Sequence, residues 1–175
     1  MPSAFGKPVT TANRFGVAAG AAVKYAILSV TTSDTYSFAT WTKKTIDEEI
    51  YDPDNIVSLT SSVFTLGAGT FLIHALNPVQ WTGTGGDFYV VYQTRIRNTT
   101  ASTNAIIGES NAMQPTTAGY AFDSVCTTIG TITLTTSATF EWQQYYSGNG
   151  TFRNGTTSGA GIGDRYGKIL ILQLL

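Results

Sequence analysis

The sequence predicts an all-β chain: an antiparallel jelly-roll β-sandwich of about eight to ten strands over residues 24–175, preceded by a short N-terminal arm over residues 1–23. Three observations predict it. Threonine occurs 29 times, more than the 21 charged residues together, and Thr, Val and aromatic residues suit pleated, half-buried strands. The 18 glycines, with clusters of Asn, Asp and Ser, fall between short apolar runs as turn signals. The Leu/Ala/Glu/Lys blocks that support helix bundles are almost absent. A chain of 175 residues has the size of one domain and buries about 70% of its unfolded surface, so it needs no disulfide or metal to fold.

Residues 1–23 mix small and polar residues with Phe5 and Phe15 and bury little alone, which reads as an arm that frays or orders on a partner. Tyr25–Val30 is apolar enough for a buried strand, and Tyr36–Trp41 follows the turn residues Ser33 and Asp34. Residues 42–55 read as a polar link with a turn at Asp52-Pro53-Asp54-Asn55. Ile56–Leu59 and Ser62–Leu66 lead to Gly67-Ala68-Gly69, which reads as a tight hairpin. Thr70–Asn77 is a strand expected to stop at Pro78. Phe88–Arg97 is the longest convincing strand, turned by Asn98-Thr99-Thr100 into Asn104–Glu109. After a loop at 110–121 come Asp123–Leu134 and Thr139–Tyr146, separated by a small polar turn. Residues 147–167 read as loop with a short strand near Thr151–Arg153, and Tyr166–Leu174 closes the chain. Short strands at this spacing mean a sandwich or jelly roll.

The final strand is unusual. Successive side chains alternate sides, so Ile169 and Ile171 face one way and Leu170, Leu172 and Leu174 the other. Both faces avoid water; one meets the domain's core, and the other needs a second sheet or another subunit, of which the subunit contact is the favoured reading. On Thr139–Tyr146 the same alternation groups Phe140, Trp142, Gln144 and Tyr146 as a core face. Glu141, Gln143 and Tyr145 form the opposite face, a polar surface or wet subunit seam.

Chemistry is sparse. The one histidine, His74, lies within a strand, and no nucleophile-elbow motif accompanies it or Cys126. One His and one Cys cannot build a typical zinc site. Asp52-Pro53-Asp54-Asn55 lacks the acid spacing of a calcium loop. The Gly83–Gly86 and Gly159–Gly163 stretches lack the strand and helix of a phosphate loop. Glu109 and Glu141 are not paired as in a glycosidase. No enzyme and no cofactor are expected. Trp81 beside Gly83–Gly86 is a weak pointer to sugar binding. The formal charge of −1 argues against nucleic acid as a partner, although residues 1–24 carry Lys7, Arg14 and Lys24 with no acid. No run reaches the length of a membrane span or a signal peptide, so synthesis and folding in a cytoplasm are expected.

The run Phe64-Thr65-Leu66-Gly67-Ala68-Gly69-Thr70-Phe71-Leu72-Ile73-His74-Ala75 resembles the FTLPAGTYxIxA stretch of tailed-phage head-decoration and head-fibre proteins. The order continues in the same way, with Pro78, then Gln93-Thr94-Arg95-Ile96-Arg97-Asn98-Thr99-Thr100. A strand similar to TFEL follows at Thr139-Phe140-Glu141-Trp142, and then the aliphatic Gly167–Leu174. The resemblance covers roughly residues 25–175, with Gly67 where Pro is common and Trp142 where Leu is usual. Such proteins resemble the tumour-necrosis-factor and complement globular-head jelly rolls and usually form trimers, with the last strand near the three-fold axis.

The resemblance implies a homotrimeric decoration or cement protein on the capsid exterior of a virion, made in the host cytoplasm and bound to the major capsid protein. Tyr145, Gln143, Leu170, Leu172 and Leu174 are the expected trimer interface, and Phe5, Lys7, Arg14 and Phe15 the expected capsid anchor. The rival reading is the receptor-binding tip of a tail or head fibre, with host surface glycans as partner. The short chain with its own Met1, lacking a fibre shaft, favours the shell protein.

Overall fold

The computed structural model describes residues 23–32, 35–36, 39–82, 90–113, 121–147, 151–153 and 166–174. Alternating apolar and polar side chains, broken by Gly, Asn and Ser turns, make every regular element a strand. In chain order these are β1 (Lys24–Ser29), β2 (Thr35–Tyr36), β3 (Thr42–Lys43), β4 (Glu48–Tyr51), β5 (Val57–Thr60), β6 (Val63–Leu66), β7 (Gly69–Thr82) and β8 (Val90–Asn98). They are followed by β9 (Thr103–Met113), β10 (Ala121–Leu134), β11 (Ala138–Ser147), β12 (Thr151–Arg153) and β13 (Lys168–Leu174).

The strands form two antiparallel sheets. In the first, β7 is central: β10 pairs along its whole length on one edge, and β13 and then β12 share the other. Beyond β13 lie β1 and β4, and beyond β12 lies β2. The second sheet runs β5-β6-β11-β8-β9, with β3 also on β11. Their inner faces meet in a core built from Leu28, Phe71, Ile73, Ile169 and Ile171 on one side and Phe64, Leu66, Ile96, Phe140 and Trp142 on the other. Phe64 and Phe140 stack at 5.5 Å between centroids. The expected jelly-roll sandwich is what these residues form.

Several local expectations need correction. The link 42–55 holds two strands, β3 and β4; Glu48 and Glu49 pair with Ser29 and Leu28 at the sheet's margin, where the exposed Glu49 keeps a charge in water and protects the edge while Glu48 is half-buried. Of the stretch Tyr36–Trp41, Tyr36 belongs to the short β2, residues 37–38 lie outside the described residues, and Ala39 has φ 54°. Gly67-Ala68 is no hairpin, because β6 and β7 belong to different sheets; the two residues carry the chain across the sandwich. The tight hairpin is instead β5–β6, where Thr60 pairs with Val63. Ser61 and Ser62 there take φ of 50° and 62°, as a type I′ turn demands, a conformation that serine signals weakly. β7 does not stop at Pro78 but runs to Thr82. On that edge β13 ends opposite Leu76 and β12 begins opposite Gln80, so the missing proline N–H falls in the gap between two partners. β9 likewise extends past Glu109 to Met113. The arm residues Phe5, Lys7, Arg14 and Phe15 lie outside the described residues.

The interior is apolar at one end and polar at the other. Lys44, fully buried, donates from Nζ to Asn77 Oδ1 at 2.5 Å and lies 4.8 Å from the Trp142 ring centre. Asn77 Nδ2 donates to Gln144 Oε1 at 2.9 Å, which also accepts from Tyr146 Oη at 2.6 Å. These bonds tie β7 to β11 through the core, so the buried polar groups specify how the sheets register.

Gly108 marks a β-bulge in β9, where pairing with β8 shifts between Gln93 and Arg95. A Cβ there would lie 2.8 Å from the backbone oxygens of both Thr127 and Thr94 and would collide with the Thr128 hydroxyl. Gly108→Ala is therefore expected to lower stability by about 1–3 kcal/mol, the usual cost of overpacking, as read from the urea midpoint. Asp47 braces the approach to β4. Partial burial alone would raise its carboxyl. Hydrogen bonds from the Thr32 hydroxyl (2.5 Å), the Thr31 amide (2.7 Å) and the Thr31 hydroxyl (2.7 Å) outweigh that and hold it below its ordinary value. A folded pKa below the unfolded one gives stability that is complete above the ordinary carboxylate range and lost as pH falls through the folded value. Asp47→Asn is thus expected to flatten the acid limb of the stability curve below about pH 4, measured by urea unfolding across pH.

Candidate functional site

The outer face of the β7 sheet is the first candidate. Register places Tyr51, Ile27, Leu170, His74 and Ile129 in one row across five strands. The next row is Tyr25, Leu172, Leu72 and Thr131. Tyr25 and Tyr51 stack at 4.7 Å between centroids. Exposure reaches 54% for Ile129, 53% for Val125, 41% for Tyr51, 40% for Leu76 and 37% for Leu174, so large side chains here meet solvent in the single chain. At one end, Leu76, Pro78, Val125, Gly167 and Lys168 line an apolar depression of about 210 Å³. The two-sidedness read in the final strand thus extends across the sheet: Ile169 and Ile171 are buried inward, while Leu170, Leu172 and Leu174 lie outward.

The expected interface set is divided by the structure. Leu170, Leu172 and Leu174 belong to this apolar face. Gln143 and Tyr145 stand on the outer face of the other sheet, on the far side of the sandwich, and cannot join them in one patch within a chain. There they meet residues the sequence reading passed over. Arg95 lies 3.8 Å above the Trp41 ring, and Trp41 and Tyr145 sit 5.4 Å apart at 40°. Arg95 Nε and Nη2 donate to Gln143 Oε1 at 2.9 and 2.7 Å, and Gln143 Nε2 donates to Glu141 Oε2 at 2.7 Å. Burial pushes the Arg95 guanidinium down from its ordinary value, and Arg97 beside it pushes the same way; it remains a cation in neutral water. Alternation along β8 and β11 could have grouped Arg95, Arg97, Glu141, Gln143 and Tyr145. Trp41, outside any strand, gave no such signal.

His74 and Cys126 do not form a catalytic pair. His74 faces outward, whereas Cys126 is buried and its thiol donates to Glu109 O at 3.0 Å. Burial raises that thiol above its ordinary value, which keeps it protonated and unreactive. Asp52 spends both oxygens on the amides of Ile56 and Val57, at 3.0 and 2.8 Å; it is a turn residue. Among the described residues no three His, Cys, Asp or Glu side chains gather as a metal site would require. Trp81's side chain and the Gly83–Gly86 stretch lie outside the described set.

These sheets and their strand order define a tumour-necrosis-factor-like jelly roll. Comparison with solved structures agrees. Murine APRIL at pH 5.0 superposes with a TM-score of 0.53 at 10% identity, covering 87% of this chain and 100% of that one. The Eiger TNF of S. frugiperda gives 0.54 at 10% identity, covering 87% and 93%. At such identities the likeness establishes the fold alone. No family model matches the sequence, and no curated protein matches it.

Proposed function

We propose that the protein is a homotrimeric decoration protein that binds the outside of a phage capsid and stabilises the shell. The observation that carries the self-association is the apolar outer face of the β7 sheet, with Val125 and Ile129 more than half exposed in the single chain. An exposed apolar patch of this extent marks an interaction surface, and another copy of the same chain supplies an equally apolar one. The tumour-necrosis-factor-like fold supports a three-fold arrangement. The order of motifs shared with head-decoration proteins supports the capsid as the second partner. Three linked copies engage three equivalent sites on the shell, so avidity multiplies a modest single affinity. Binding only the assembled shell stabilises that shell by mass action.

The test mixes purified protein with shells lacking it, with molar mass measured by light scattering. Saturable binding of a trimer that raises the temperature of DNA release supports the reading, and removing residues 1–23 then asks whether the arm is the anchor. A trimer that ignores shells overturns the capsid assignment, and a monomer overturns the assembly.

A further inference from the structure

We propose that the outer face of the second sheet is a binding site for an acidic saccharide, one carrying carboxylated sugar rings, centred on Arg95, Trp41 and Tyr145. The site is independent of the self-association reading, because it lies on the opposite sheet. Its charge is unbalanced: register puts Lys43, Arg95 and Arg97 on this face against Glu141. Arg97 makes no hydrogen bond or ion pair among the described residues, and Arg95 bonds only the neutral amide of Gln143. The Arg95 guanidinium is fixed from beneath by Trp41 and from the side by Gln143, itself held by Glu141. Its remaining N–H groups are therefore aimed before any ligand arrives, in the planar fork that matches a carboxylate.

The rest of the face suits a sugar rather than a bare anion. Tyr145, tilted beside Trp41, supplies an aromatic surface for the apolar side of a pyranose ring, with a hydroxyl at its tip. Gln93 pairs with Tyr145 in register. Its Nε2 is engaged by Gly108 O at 3.1 Å, which leaves its carbonyl oxygen to accept from a sugar hydroxyl. A carboxylate receptor, an aromatic shelf and a neutral amide lie side by side on rigid strands, where little ordering entropy opposes binding.

Isothermal titration of the intact protein with trigalacturonate at low salt tests the proposal, with galactotriose and triglutamate as comparisons. Trigalacturonate is expected to bind with a dissociation constant of about 0.1–1 mM, at least about tenfold more tightly than either comparison. Arg95→Lys keeps the charge but loses the fork and is expected to weaken binding about tenfold or more. Tyr145→Ala is expected to do likewise, and Arg97→Gln to cost a few-fold through charge alone; thermal unfolding verifies that each variant is folded. Absence of trigalacturonate binding overturns the proposal, as does wild-type affinity in both Arg95→Lys and Tyr145→Ala. Equal affinity for triglutamate overturns it in favour of an acidic peptide surface, and equal affinity for galactotriose removes the role of the carboxylate.

Discussion

If the outer face of the β7 sheet is the subunit contact proposed above, Leu172→Asp is expected to convert the assembly to single chains of 18.7 kDa while leaving the sandwich folded. Leu172 lies between Tyr25 and Leu72 on the outer face of the β7 sheet, and its side chain takes no part in the core. In a single chain the half-buried position still lets the short carboxylate reach water at the sheet's outer face, so the cost is modest. In an assembly that covers this face it is buried without a partner, at a cost of several kcal/mol per contact. About 4 kcal/mol at one contact already weakens association about a thousandfold. Light scattering and circular dichroism together read the result. An unchanged molar mass would place the subunit contact elsewhere. The change Glu141→Gln on the other sheet is the control and is expected to leave the mass unaltered.

Asn77→Leu is expected to cost about 2–4 kcal/mol of folding stability. The substitution is close in volume, so cavity terms are small. What is lost is an acceptor for the buried Lys44 ammonium and a donor to Gln144, and leaving buried polar groups short of partners carries a penalty of about 1–3 kcal/mol each. The reading is a lowered urea midpoint at unchanged slope. Gln143→Ala removes the acceptor of Arg95 and the donor to Glu141; because those two partners still reach water, a smaller loss of about 1 kcal/mol is expected, and that contrast separates the core network from the one on the outer face.

Much of this was legible in the sequence because a strand's period of two makes burial visible. The alternation in Phe140–Tyr146 assigned the core face correctly, and Ile169 against Leu170 revealed a strand with two apolar sides. What stayed hidden depends on sheet membership, which no local pattern encodes. Gly67-Ala68 looks like a hairpin because glycine permits one; that it crosses between sheets follows only from where β6 and β7 find partners. Pro78 looks like a terminus because it lacks a donor, yet two short partners leave a gap where none is needed. That Tyr145 and Leu172 face outward from different sheets is hidden for the same reason: alternation shows that each points outward but not from which sheet. Lys44 was counted within a polar link, and only the tertiary contacts of Asn77 and Trp142 place it in the interior.

The pairing of β1 with β13 also has a temporal consequence. Lys24 lies opposite Gln173 and Ser29 opposite Lys168, so nearly the whole sequence separates the two partners. Contacts of such high sequence separation carry a large loop-closure entropy and fold slowly. During synthesis the β1–β4 pair cannot be joined to β7 until Lys168–Leu174 has left the ribosome. The outer apolar face that β1 helps to form is completed only when β13 pairs with it, so that face waits on one of the longest-range contacts in the fold.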